Sequence, residues 1–171
     1  MDTPDSLVSF LARSKLARAV GAGAASILVS FVPEFEGTIF HTYYDPVRIK
    51  TACVGHTGPE LRLGQTFTKE ECDEMLNADL VHTANGIRDC IDVPLSTNQT
   101  AAFVSFAFNV GVDAFCKSTL ARTLNEGDYA GACAQLSRWV YSGGQRLPGL
   151  ERRRAAERAM CEEGDDGAIR G

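Results

Sequence analysis

"EFEGTIFHTYYDPVRIKTACVGHTG", residues 34–58, places two carboxylates and a hydroxyl in an order that a solvated loop does not need. Glu36 comes directly before a glycine, and Asp45 ends a segment rich in Thr and Tyr. Thr51 follows shortly afterwards, just ahead of a Gly-His-Thr turn. A buried strand would avoid both carboxylates. The order makes sense if a carboxylic acid, a carboxylate and a hydroxyl converge on one small volume.

The elements around this stretch predict an α+β fold, with one small antiparallel sheet beside a helical bundle. Residues 38–65 combine β-formers with turn signals, which is typical of a short, irregular sheet. Helices follow, and the first opens with a capping box, Thr68 with Glu71. The others are predicted over 96–111, 117–127, 128–140 and from Pro148 onwards, before a frayed tail at 164–171. The helix over 96–111 is apolar almost all round and should be central and buried.

Length and composition indicate a globular chain with a sizeable core. The 171 residues are 44% hydrophobic and 23% charged, which is ordinary for a globular domain. The formal net charge of −5 argues against nucleic acid as the main partner. One run, "ERRRAAER" at 151–158, is rich in arginine. It is interpreted either as a solvated helix face or as a surface that helps hold an anionic polymer.

The cysteine count indicates disulfides and an oxidising compartment such as a periplasm. The six cysteines form no C-x-x-C pair, and His41, His56 and His82 lack metal-ligand spacing, so we predict no metal. Six cysteines allow fifteen connectivities. Short loops close at lower entropic cost, which favours Cys53–Cys72, Cys90–Cys116 and Cys133–Cys161.

An apolar run near the N-terminus, Ala19–Val32, follows the cations Arg13, Lys15 and Arg18. A helix of this length is about 21 Å long, shorter than a hydrocarbon core of about 30 Å. Its small residues precede its strongly apolar ones, the reverse of a cleaved signal peptide. Two interpretations stay open: a buried helix of a soluble domain, or a marginal signal-anchor with its N-terminus in the cytoplasm. The second interpretation agrees with the oxidising compartment that the cysteines indicate.

The opening stretch fits glycoside hydrolysis. Glu36 ends the predicted N-terminal helix while Asp45 and Thr51 lie on the predicted sheet, so a cleft between them would carry one carboxyl on each wall. Glycosidases need a protonated acid beside the leaving oxygen and a carboxylate across the sugar. Apolar Phe35 and Ile39 would favour the protonated acid, and Asp45 would stay ionised near water. Thr51 could orient a water. The alternative is a helix-end carboxylate with unrelated surface polar residues.

The sequence resembles the phage-type (T4-like) lysozymes, glycoside hydrolase family 24. Their motif, Glu-Gly, then Asp, then Thr before a Gly-x-Gly-His-like turn, stands here at positions 36–57. The likeness covers roughly residues 33–162. It continues through "FNVG" (108–111), "FCKSTL" (115–120), "SRWVYSGG" (137–144) and "LPGLERRRAAE" (147–157).

The resemblance implies a lysozyme-like fold that cleaves the β-1,4 bond between N-acetylmuramic acid and N-acetylglucosamine, without a cofactor. Glu36 would be the general acid, with Asp45 and Thr51 assisting the attacking water or stabilising the transition state. Phe108 and Ser118 match substrate-cleft positions. Cys53 departs from many relatives, and a disulfide there would couple redox state to the geometry of the site.

The apolar N-terminus resembles that of signal-anchor-release endolysins. This implies a releasable membrane segment over 1–32 and a catalytic domain over 33–171. Host export machinery would deliver the chain, and Ala19–Val32 would tether it to the host inner membrane until release into the periplasm as a monomer. Glu36 lies only four residues beyond Val32, so an embedded segment would pin the acid at the membrane surface.

Two functions from other classes compete with a muramidase that lyses the host. One is a membrane-tethered peptidoglycan-binding module without turnover, although such a module gains nothing from the Glu36, Asp45 and Thr51 set. The other is a secreted structural or inhibitor domain held by disulfides, although a chain of this length needs no such crosslinks to fold. The sequence leaves open the host, the peptidoglycan chemotype and whether the anomeric configuration is inverted or retained.

Overall fold

The computed structural model describes residues 14–163, and its elements alternate between a helical body and two short hairpins. The helices are α1 (Lys15–Val20), α2 (Ala22–Glu36), α3 (Lys69–Arg88), α4 (Thr97–Val110), α5 (Val112–Cys116), α6 (Thr119–Asn125), α7 (Tyr129–Gln135) and α8 (Pro148–Glu162). A 3-10 turn, Leu136–Arg138, follows α7. The strands are β1 (Ile39–Tyr44), β2 (Lys50–Cys53), β3 (His56–Thr57), β4 (Tyr141–Ser142) and β5 (Gln145–Arg146).

The apolar N-terminal run packs as helix against the rest of the molecule. Gly21 separates α1 from α2 with a φ of 86°, in the left-handed region that favours glycine. The fully buried side chains of this segment are Leu16, Ala24, Ala25, Leu28 and Val32. Within residues 14–163, none of the helices is both long and apolar enough to cross a membrane. Both interpretations of the run include this packed arrangement, the second of them after release.

The boundary predicted between residues 32 and 33 falls inside α2, which continues to Glu36. Pro33 lies within this helix and has no N–H to donate to the preceding turn. The apolar run and the predicted acid therefore belong to one helix, with its weakest backbone bonding at the junction.

Helix α4 is the centre of the core, as its sequence predicts. Ser96 and Gln99 form a capping box at its start, and Gly111 ends it. Phe103 and Phe106 are fully buried, and their rings lie 6.2 and 6.0 Å from the ring of Phe115. Edge-on and tilted aromatic contacts of this kind add to the stabilisation from burial alone.

The sheet is three-stranded and antiparallel, in the order β1-β2-β3, which confirms the α+β class. Thr51 on β2 pairs with Tyr43 on one side and Thr57 on the other. The register of β1 shifts between Ile39 and Tyr43, so this strand carries a bulge.

Three elements differ from the sequence predictions. Helix α5 was not expected, nor was the hairpin of β4 and β5, whose turn is formed by Gly143 and Gly144. The helix predicted over 128–140 ends earlier, at Gln135, and gives way to the 3-10 turn. The tail predicted to be frayed, 164–171, lies outside the described residues.

All six cysteines are paired, and the pairing predicted from locality is confirmed. Cys53–Cys72 joins β2 to α3, and Cys90–Cys116 joins the end of α3 to α5. The third bond, Cys133–Cys161, joins α7 to α8. The sheet and the last helix are therefore each tied covalently to the helical body.

Candidate active site

Glu36 is the last residue of α2 and lies at the centre of a cleft. Gly37 ends the helix with a φ of 71°, and its N–H donates to the carbonyl of Pro33. Two cavities, of about 330 and 540 Å³, meet there, because Glu36 and Asn109 line both of them. The Glu36 side chain is 23% exposed, so it reaches the cleft while most of it stays covered.

The cleft lies between helices and sheet as the sequence predicts, but of the two predicted carboxyl groups only Glu36 lines it. The smaller cavity is bounded on the sheet side by Gly55 and Thr57 and on the α3 side by Asp79, His82 and Thr83. The larger cavity lies between the end of α2 and the start of α8. A polymer lying along the cleft would therefore pass over Glu36.

The surroundings of Glu36 differ from the apolar pocket expected. Its carboxylate forms an ion pair with the guanidinium of Arg153, whose side chain is only 3% exposed. The same guanidinium lies 5.8 Å from the ring of Phe35, within cation–π range. Ile39 is 38% exposed and contributes little cover. A buried cation rather than apolar side chains is therefore the main neighbour of this carboxylate.

Asp45 and Thr51 both lie on the sheet side. Asp45 follows β1 and caps the hairpin turn, since its Oδ1 accepts from the N–H groups of Val47 at 3.0 Å and Ile49 at 2.7 Å. Thr51 is buried in β2, and its hydroxyl donates to the carbonyl of Ile49 at 3.1 Å. Neither side chain lines the two cavities that Glu36 lines.

The two candidate substrate-binding residues are placed differently. Phe108, on α4, lines the smaller cavity beside Glu36. Ser118 caps α6, where its hydroxyl accepts from the N–H of Ala121 and donates to the carbonyl of Phe115. It is 8% exposed and lines neither cavity, so its hydrogen bonds serve the helix rather than the cleft.

The arginine-rich run is neither a solvated face nor an exposed polymer-binding surface at its centre. Arg153 and Arg154 are 3% and 1% exposed, and Glu157 is fully buried between them and α4. Glu157 Oε1 accepts from Arg153 Nε and Arg154 Nη2, each at 3.1 Å, and from Ser105 Oγ at 2.7 Å. Burial raises the pKa of the Glu157 carboxyl, and the guanidinium groups and Ser105 oppose that shift.

Sequence reasoning therefore missed Arg153 and its neighbour in the cleft, Asn109. A signal for Arg153 was available. Leu150, Arg153, Glu157 and Cys161 recur at helical spacing, so the charged positions share a face with apolar ones. That face packs inward, and Cys161 is buried. Asn109 lies within the "FNVG" motif beside Phe108.

A histidine bridge fixes the sheet to α3 beside the cleft. The Nδ1 of His56 lies 2.8 Å from Asp79, and its Nε2 lies 2.6 Å from Glu60. Burial alone would lower the pKa of His56, but the hydrogen bonds with Glu60 and Asp79 outweigh it and raise the pKa above its ordinary value. The bond with His56 lowers the pKa of Glu60. The imidazolium, with both nitrogens donating, matches this geometry.

A helical body, a small sheet and a carboxylate in the cleft between them define the lysozyme class of glycoside hydrolases. The chain belongs to the phage lysozyme family, whose model matches residues 33–157. It is 43% identical over 155 residues to the SAR-endolysins of Enterobacteria phages PA-2 and P21, over 87% of this chain and 94% of each relative. The muramidase domain of SpmX from Asticaccaulis excentricus has a TM-score of 0.75 and 32% identity, over 89% of this chain and 100% of that one. The enzyme is accordingly a phage endolysin with lysozyme activity.

Replacing His56 with asparagine should reduce stability most at acidic pH. Because the folded-state pKa of His56 is raised, its contribution is full below the unfolded-state value of about 6.5 and is lost as the pH rises through the folded-state value. Loss of the His56–Asp79 pair should cost about 1–2 kcal/mol at pH 5.5. That corresponds to a fall in Tm of about 2–8 °C for a chain of this size.

The measurement is thermal unfolding of both proteins at pH 5.5 and pH 9. His41→Asn is the matched control, because His41 is exposed and outside the bridge. An equal fall in Tm at the two pH values would show that the charged bridge does not stabilise the fold.

Proposed function

We propose that the enzyme hydrolyses the β-1,4 bond between N-acetylmuramic acid and N-acetylglucosamine in host peptidoglycan, with Glu36 as the general acid. The observation that carries the proposal is the position of Glu36, shared by both halves of the cleft in a chain of the lysozyme family. Its proton passes to the glycosidic oxygen as the bond to the anomeric carbon breaks. Water then supplies the hydroxyl that completes hydrolysis.

Arg153 assists this step by its charge. Proton transfer leaves a carboxylate on Glu36, and the guanidinium already in contact with it stabilises the negative charge as it forms. The guanidinium of Arg153 is already fixed in this position before the reaction, because it also donates to the carbonyl of Ser105 at 3.2 Å. A fixed donor needs no reorganisation during the reaction.

Asp45 and Thr51 act from the sheet side in this proposal, on the attacking water or on positive charge at the sugar. The hairpin that carries them is held by the Asp45 cap and by the pairing of Thr51 with Thr57, which lines the smaller cavity. Phe108 supports the substrate from the α4 side.

The segment Ala19–Val32 holds the enzyme at the host inner membrane until release into the periplasm. Host export machinery places it there with its N-terminus in the cytoplasm, and the released enzyme is a monomer. Relatives named SAR-endolysins support this proposal, as does the continuity of α2 from the apolar run to Glu36. While the run is embedded, α2 cannot pack on α4, and Glu36 has no fixed position relative to Arg153.

Glu36→Gln should abolish lytic activity without unfolding the protein. General acid catalysis is worth ~10²–10⁴-fold, and the amide has no acidic proton to give. The measurement is the rate of clearing of purified peptidoglycan, with Tm as the check on folding. Glu74→Gln, at an exposed position on α3, is the control and should keep full activity. A Glu36→Gln protein with more than a tenth of the wild-type rate would exclude the acid role.

Asp45→Asn and Asp45→Ala separate the charge of this residue from its structural cap. Asparagine keeps an oxygen for the N–H groups of Val47 and Ile49 but removes the charge, whereas alanine removes both. If the charge acts in catalysis, both variants lose about 10²-fold or more in rate, and only alanine lowers Tm. An active Asp45→Asn enzyme would limit Asp45 to capping the turn.

Leucine substitutions in the segment should delay release. A Cβ on Gly23 would lie 2.8 Å from the methyl carbon of Thr97, so Gly23→Leu disfavours the packed state. It also adds roughly 0.5 kcal/mol of membrane preference. Gly21→Leu adds strain, because Gly21 has a positive φ.

Ser26→Leu is the matched control, since Ser26 is exposed on α2 and the change adds membrane preference alone. Cell fractionation before and after collapse of the membrane potential should show the slowest release for Gly21→Leu/Gly23→Leu and an intermediate rate for Ser26→Leu. Wild-type protein that is soluble and active throughout would show that the segment is only a core helix.

A further inference from the structure

Glu157 is buried beneath the active site and contacts the arginine that pairs with Glu36. Its carboxylate is 0% exposed and lies between Arg153 and Arg154 on α8 and Ser105 on α4. Arg153 uses Nε for Glu157 and Nη1 for Glu36, so one planar guanidinium joins the two carboxylates. The cleft cavities do not include Glu157 among their lining residues, which places it outside reach of substrate.

The second arginine anchors Glu157 from the opposite side. Arg154 Nε lies 2.7 Å from Glu157 Oε2, and the Arg154 guanidinium lies 4.9 Å from the ring of Phe106. Arg154 Nε and Nη1 and Glu157 Oε2 are buried and form no hydrogen bond, so the Arg154 guanidinium is held by its ion pair with Glu157 and by one hydrogen bond, from Nη2 to Glu157 Oε1 at 3.1 Å. Removing one partner of such a buried set is costly, because it leaves a charge uncompensated.

The four groups balance in charge: two carboxylates, Glu36 and Glu157, face two guanidiniums, Arg153 and Arg154. The other titratable groups that face Glu36 from the cleft are Asp79 and His82 on α3, Glu34 on α2 and Arg152 on α8. These line the open cavities, where solvent screens them. The charge that Glu36 experiences from the protein interior is therefore set by the buried cluster.

We infer that Glu157 is a positioning residue for the hydrolysis: it fixes the orientation of Arg153 and neutralises part of the cluster's positive charge, and so sets the charge and the geometry that the protein interior presents to Glu36. The inference rests on the proposed role of Glu36. Without Glu157, two buried guanidiniums face Glu36 alone. The hydrolysis then takes place beside an uncompensated buried positive charge, which changes its dependence on pH.

Glu157→Gln should move the alkaline limb of the pH–activity profile to lower pH by about one unit or more, as expected for a change in charge balance beside a carboxylate. At pH 7 kcat should fall about tenfold or more, because Arg153 also loses an anchor. KM should change little, since Glu157 does not line the cleft. The assay is the initial rate on a soluble peptidoglycan fragment from pH 4 to pH 9.

A charge-restoring double variant, Arg154→Met/Glu157→Gln, separates this effect from simple loss of packing. It leaves one guanidinium, Arg153, opposite Glu36, and the methionine can still contact the ring of Phe106. We expect its alkaline limb to return toward the wild-type position, even though it carries more substitutions. Glu162→Gln is the matched control on the same helix, because Glu162 pairs with Arg158 at the surface, and it should leave the profile unchanged.

A folded Glu157→Gln enzyme with a wild-type pH profile would overturn the inference. If Glu157→Gln does not fold, the kcat of the double variant decides: a fall of about tenfold at unchanged KM supports the positioning of Arg153 by Glu157, and a wild-type kcat or a failure to fold shows that Glu157 serves packing only. Failure of the proposed function is seen elsewhere, as an active Glu36→Gln enzyme, and does not depend on any Glu157 variant.

Discussion

An ion pair joins two helices that are far apart in the sequence, with Glu36 at the end of α2 and Arg153 near the start of α8, and it lies at the centre of the cleft. Beneath this ion pair, Glu157, Arg154 and Ser105 complete a buried set of polar side chains that holds Arg153 in place. Charges inside a protein persist only when each has a partner, so the set constrains how α4 and α8 can pack. The floor of the cleft is formed by this buried set of charged side chains, and the two cavities lie on either side of the ion pair.

The helix that carries Glu36 also carries the apolar run. One side of α2 is buried against the core through Ala24, Ala25, Leu28 and Val32, so the position of the acid depends on the packing of a segment with another potential environment. The small side chains of this segment allow close approach to α4 and offer little apolar area. The disulfides do not include this segment, so apart from the peptide backbone only noncovalent contacts attach it to the body.

The sequence predicts most of the fold because its signals are local. The capping box of Thr68 with Glu71, the apolar pattern over 96–111 and the short cysteine loops each specify structure within about 30 residues, and all three agree with the structure. The β4–β5 hairpin was missed because its strands are only two residues long. Helix α5 was missed because five residues carry no periodicity.

Prediction of the site succeeded for the cleft position of Glu36 and was incomplete for its surroundings. Arginine was interpreted as a surface residue because burial of a charge cannot be inferred without its partner, and Glu36 lies far along the chain from Arg153. Ser118 matched a motif, but a serine before a helix caps it whether or not a cleft is near. The roles of Asp45 and Thr51 depend on where the substrate lies in the enzyme–substrate complex, so the sequence of the enzyme alone does not determine them.

The separation of 117 residues between Glu36 and Arg153 has a consequence for the order of biosynthesis. The ribosome makes Glu36 before Arg153, and the guanidinium that completes the environment of Glu36 arrives with the last described helix. A nascent or truncated chain therefore carries the acid without its counterion, and the cleft lacks one wall of its larger cavity. Assembly of the cleft is thus delayed until α8 has been made and has docked on α4.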